Sequence, residues 1–130
     1  ELEALRLAIE KYTPEQLMIL SEMLSDMMNA VRQNDNEGFI AADFRFHRFI
    51  GTMSGNSIFE TLYDISSALM ADYYRANRRA SPIQSESDLA DEDHVRLFEA
   101  IADRDFERAR DIYIDLIDYP LEEREETERN

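Results

Sequence analysis

A chain of 130 residues, 44% of them apolar, is long enough to close one hydrophobic core and too apolar for a disordered segment. Its 29 acidic against 14 basic residues give a formal charge of −15, which argues against binding a phosphate backbone through this segment. No apolar run reaches the roughly 20 residues that span a bilayer, no basic and apolar leader opens the chain, and the lack of cysteine removes disulfides, thiolate metal sites and cysteine nucleophiles. The location these features predict is cytoplasmic, with no membrane partner.

Three glycines, three prolines and scarce valine predict helices joined by short turns, without strands. Leu2 to Tyr12 places Leu5, Ala8, Ile9 and Tyr12 on one helical face. Thr13-Pro14-Glu15-Gln16 then opens a second helix, with Thr13 as N-cap, Pro14 in the first turn and Gln16 completing a capping box. Leu17, Leu20, Leu24, Met27 and Val31 repeat at helical spacing until the polar cluster Gln33-Asn34-Asp35-Asn36. A third helix runs from about Glu37 to Met53, and Ser54-Gly55-Asn56 breaks it. The fourth, from near Ser57 to about Arg79, is expected to carry Ile58, Leu62, Ile65 and Leu69 inward. Ser81 to Ser87 contains Pro82 and reads as a loop. A fifth helix covers about Asp88 to Ala102. Asp105 caps a sixth, with Phe106, Ala109, Tyr113 and Leu116 inward, and Pro120 marks its end before a solvated Glu/Arg-rich tail. The predicted fold class is all-α: one domain over residues 1–130, an antiparallel bundle of about six helices.

Three polar residues fall on inward faces. In the third helix Ile40, Asp43, Phe44, His47 and Ile50 follow the spacing of a buried stripe, with Phe39, Phe46, Phe49 and Met53 widening it and Arg45 and Arg48 on the wet side. In the fifth, His94 lies in line with Leu97, Phe98 and Ile101. An inward carboxylate needs a proton, a partner or a cation. One reading is an Asp43–His47 hydrogen bond beside a satisfied core histidine. The other is that Asp43, His47 and His94 converge on a divalent metal, with oxygen and imidazole ligands suited to Zn, Ni, Mn or Fe.

Several short elements, in order and at matching separations, resemble the FadR C-terminal domain (FCD) family, the effector-binding half of many GntR-type bacterial transcription regulators. They are the opening Leu2-Glu3-Ala4, Leu7-Ala8 and Tyr12-Thr13, then Asp43-Phe44-Arg45-Phe46-His47, then Met53-Ser54-Gly55-Asn56. Asp93-His94, Ala100-Ile101, Asp105 and Ala109 follow. The resemblance covers nearly the whole chain. It implies a bundle enclosing a central ligand pocket, with Asp43, His47 and His94 as three ligands of a divalent metal and a small organic acid bound at or beside it. The family's further histidine falls here on Leu116, which leaves the ligand set altered. The resemblance also implies a homodimer, and DNA contact only through an upstream winged-helix domain that is not part of this chain.

Two more residues are candidates for effector contact. Asn56 is either the N-cap of the fourth helix or a donor to a pocket ligand. Arg75, Arg78 and Arg79 end the fourth helix, where some compensate its dipole and one facing the pocket is suited to clamp an effector carboxylate. Arg75, which follows Ala68 and Asp72 in helical register, is the first choice. The expected role is regulatory, not enzymatic. Against it stand a non-haem metal enzyme, since two histidines and a carboxylate resemble an iron facial triad and Asp91-x-x-His94 faintly resembles a di-iron motif, and an acidic helical interaction module with a dry interior.

Overall fold

A computed structural model describes the backbone of residues 2–78 and 84–115, and the side chains of residues 2–69 and 92–115. The elements are α1 (Leu2–Lys11), α2 (Pro14–Arg32), α3 (Asn36–Met53), α4 (Ser57–Arg78) and α5 (Gln84–Ala102), followed by α6 over residues 106–115. No strand occurs among the described residues. The chain is all-α, as its sequence predicts. Gln84 to Ser87, expected in a loop, form the first turn of α5, while Leu116, Pro120 and the acidic tail lie outside the described residues.

The turns are set by side chains that satisfy the backbone groups a helix end leaves open. Thr13 Oγ1 accepts from Gln16 N and Gln16 Oε1 accepts from Thr13 N, so the capping box at α2 is complete. The α2–α3 and α5–α6 links are one device used twice. Asn34 and Arg104 adopt the left-handed conformation (φ 52° and 55°). Asp35 N and Asp105 N donate back to Ala30 O and Ala100 O, each at 2.9 Å. Asp35 Oδ1 then accepts from Gly38 N, and Asp105 Oδ1 from Arg108 N, opening the next helix. Between α3 and α4, Gly55 supplies the positive φ of 76° that the turn needs.

α3 is the central helix, packed against α1, α2 and α4, and α2 also packs on α5. The centre of α3's buried surface runs through Phe39, Ala42, Phe46, Ile50 and Met53. Phe46, placed at the margin by sequence spacing, is fully enclosed. Asp43, Phe44 and His47 lie on the half-buried flank of that surface. A helix covered by three neighbours buries more than one stripe, so spacing alone does not locate the centre. Gly51 lets α4 approach closely, because a Cβ there would stand 3.3 Å from Tyr63 Cδ2.

The expected orientation of α4 is overturned. Ile58, Leu62, Ile65 and Leu69 are 63, 52, 58 and 72% exposed, while Tyr63 is buried and Phe59 half-buried. α4 carries two apolar surfaces: an aromatic one that meets α3 and an aliphatic one that faces away. Periodicity identified the second and could not tell which side the core lay on.

Candidate metal centre

α3 supplies Asp43 and His47 one turn apart, and α5, anchored on the core by the fully buried Leu97 and Ile101, supplies His94. The three side chains meet. Asp43 Oδ1 lies 2.8 Å from His94 Nε2 and 3.1 Å from His47 Nε2, and the two Nε2 atoms are 3.2 Å apart. Phe46 sits edge-on to both imidazoles, with ring centroids 5.6 Å from His47 and 5.5 Å from His94. Tyr113 of α6 is edge-on to His47 at 5.8 Å, and its hydroxyl shares a 3.0 Å hydrogen bond with the Tyr63 hydroxyl from α4. Four helices thus contribute to one neighbourhood. It is closed at His94, whose side chain is 4% exposed, and more open at Asp43, which is 25% exposed.

The triangle of donor atoms is awkward without a cation. A neutral imidazole carries one N–H, so two imidazoles and one carboxylate oxygen cannot fill all three contacts with well-aligned protons. If both Nε2 atoms are protonated they share one acceptor and face each other as like donors. A divalent ion removes the conflict. Ligands about 2.0–2.2 Å from one first-row ion, spread around it, are separated from each other by about 3 Å, which is the spacing found here. His47 departs from the usual pattern of ligating histidines in one respect: its Nδ1 is buried without a hydrogen-bond partner.

Burial raises the cost of charging Asp43, but the His47 charge and hydrogen bonds from both histidines outweigh it, so the carboxyl is held well below the ordinary carboxylate range. Asp43 is therefore a standing anion, which is what a cation site needs.

The other candidates fare differently. Asn56 caps α4, its Oδ1 accepting from Ile58 N at 3.0 Å and its carbonyl from Phe59 N. His47 lies six residues before the end of α3, so Asn56 is about 9 Å or more further along the bundle. The side chains of Arg75 and Asp91, like Leu116, are outside the described residues. Sequence reasoning missed the Tyr63–Tyr113 pair, which joins residues 50 apart and has no periodic signature.

An all-α bundle that gathers a carboxylate and two imidazoles from two helices, open on one side, defines a ligand-binding helical domain. The chain belongs to the FCD domain family, which matches residues 1–118. The HTH-type transcriptional repressor NanR of Klebsiella aerogenes is 32% identical over 111 residues, covering 84% of this chain and 41% of that protein. The NanR of Salmonella schwarzengrund is 30% identical over 112 residues, covering 84% and 40%. The solved structure of E. coli McbR/YncC shares the fold, with a TM-score of 0.83 at 23% identity over 92% of this chain and 56% of that one. The chain spans less than half the length of these curated relatives. It is an effector-binding domain of the GntR regulator family, a regulatory unit and not an enzyme. No helix among the described residues is long and apolar enough to cross a membrane.

Proposed function

We propose that this domain senses a small organic acid and dimerises within a cytoplasmic GntR/FadR-class transcription regulator, and that Asp43, His47 and His94 hold a divalent metal (zinc, nickel, manganese or iron) to which the acid is drawn. The observation that carries the reading is the convergence of the three donor atoms within 3.2 Å of one another. When bound, the metal supplies positive charge and open coordination positions for an anionic ligand. The residues do the rest: Asp43 contributes a fixed negative charge, Phe46 holds both imidazole planes, and the exposed side of Asp43 leaves an approach. Arg75, in the last turns of α4, is assigned to the effector as its carboxylate clamp, and Asn56, whose Oδ1 caps α4, as a donor through its side-chain NH2.

DNA recognition belongs to a winged-helix segment upstream of residue 1. The similarity to HTH-type transcriptional repressors supports this, as does a charge of −15 that suits no contact with DNA. An effector that binds two arrangements of the bundle unequally shifts their populations, and a difference of about 1–3 kcal/mol suffices for a useful response. The second copy docks on the aliphatic face of α4. Ile58, Leu62, Ile65 and Leu69 alternate at intervals of four, three and four residues, the spacing of a helix-pairing seam. Of Ser57, Thr61, Asp64, Ser66 and Ala68 beside it only Asp64 is charged, and Arg48 pairs with it.

Elemental mass spectrometry of the purified domain tests the centre, with wild type beside His47→Ala and His94→Ala. Near-stoichiometric metal in the wild type, lost from both variants, is expected. A wild type that stays metal-free after reloading sinks the metal and leaves an organic-anion site to be screened without it.

A further inference from the structure

We infer that Arg104, with Tyr12, is the coupling joint between the Asp43–His47–His94 cluster and α1. The inference deepens the sensing role and rests on it, though not on the presence of a metal.

Arg104 occupies the α5–α6 turn, yet its guanidinium works at the end of α1. Its Nη1 donates to Ile9 O at 2.6 Å and to Glu10 O at 3.3 Å, and its Nη2 reaches Tyr12 O at 3.5 Å. These are the carbonyls a helix C-terminus leaves without intrahelical partners, at the negative end of its dipole. The guanidinium also lies 4.0 Å above the centre of the Tyr12 ring. Tyr12 answers in the other direction: its hydroxyl donates to Ala102 O, the last residue of α5, at 2.9 Å. Each helix end is closed by a side chain from the other.

The equivalent turn at α2–α3 provides an internal control. It has the same backbone hydrogen bonds and the same left-handed residue, but that residue is Asn34, a type that tolerates the conformation. Arginine does not share that tolerance. Its presence at φ 55° is explained by the side chain it delivers to α1, not by the turn.

The clasp spans the same two bodies as the ligand cluster. Asp43 and His47 belong to α3, against which α1 packs, while His94 belongs to α5, whose end Arg104 and Tyr12 tie to α1. A change in the spacing of α3 and α5 at the cluster reaches α2, which packs on both, and the clasp, through which it is carried into α1. With the clasp intact, α1 follows.

The test is a double-mutant cycle read by hydrogen exchange at the α1 amides, carried out on the metal-free protein. His94→Gln is made alone and together with Arg104→Gly, since glycine keeps the turn's backbone while removing the clasp; Tyr12→Phe serves as a second, milder partner should the first fail to fold. His94→Gln is expected to change α1 exchange by about threefold to thirtyfold in the Arg104 background and by less than about twofold without the clasp. Equal changes in both backgrounds, or none in either, overturn the coupling. Metal content measured on the same variants as purified, before the metal is stripped, bears on the metal alone, so failure of that reading is distinguishable from failure of this one.

Discussion

Asp43 is the residue on which the site's electrostatics turn. A half-buried carboxylate between two imidazoles is an expensive arrangement for a neutral core, and it persists because the histidines hold it ionised. The pH consequence follows from the direction of its shift. A carboxyl depressed in the folded state stabilises the fold fully above the unfolded-chain value, near about 4, and the benefit is lost as pH falls below it toward the folded value. In metal-free protein, Asp43→Asn should therefore flatten the acid limb of the stability curve. Below pH about 4 the wild type should lose about 1.4 kcal/mol more per pH unit than the variant, measured by urea unfolding. Parallel acid limbs would mean that Asp43 is not held by its neighbours. The cluster was legible in the sequence because its members sit on periodic helical faces where a charge is out of place. Arg104 was not, because it stands in a turn where an arginine is ordinary. Of Tyr63–Tyr113 spacing marked only Tyr113 as inward, since a tyrosine on a helix is not out of place and Tyr63 lies off the stripe that α4 shows.

α4 shows how far helical periodicity reaches. The stripe of Ile58, Leu62, Ile65 and Leu69 reads like a core face, and α4 does have a core face, but it is the one bearing Phe59 and Tyr63. Boundaries were more legible than facing, since Thr13, Asp35, Gly55 and Asp105 write their turns in side-chain chemistry that needs no tertiary context. The solvent-facing seam carries its own prediction. Leu62→Glu should leave the helix content and the bundle intact, because Leu62 touches solvent already, but should abolish self-association. Leu62 is 52% exposed, so burying the remainder contributes about 0.8–1.5 kcal/mol in each copy, and losing two such contacts weakens the dimer by at least about tenfold before the cost of burying a charge is added. Sedimentation velocity reads this directly. A variant that remains dimeric moves the second copy to another face.

At the scale of the whole molecule the charge of −15 decides how two copies can meet. Like-charged chains repel one another through solvent, and only an uncharged strip lets them approach without bringing carboxylates face to face. The described part of the α4 seam comes near to such a strip, since Asp64 on its flank is paired with Arg48, whereas the exposed faces elsewhere carry Glu3, Glu10, Glu22, Asp26, Asp103 and Asp111. An apolar seam between acidic bodies has a salt response opposite to that of an interface held by ion pairs. Raising salt from about 0.1 M to about 1 M shortens the screening length from about 10 Å to about 3 Å, which removes the repulsion and leaves the apolar contact. Dimerisation of the wild-type domain should therefore tighten across that range in sedimentation equilibrium. Loosening would mean that cross-subunit ion pairs hold the copies together, for which the exposed Arg48, already engaged by Asp64, and Arg96 are the first places to look.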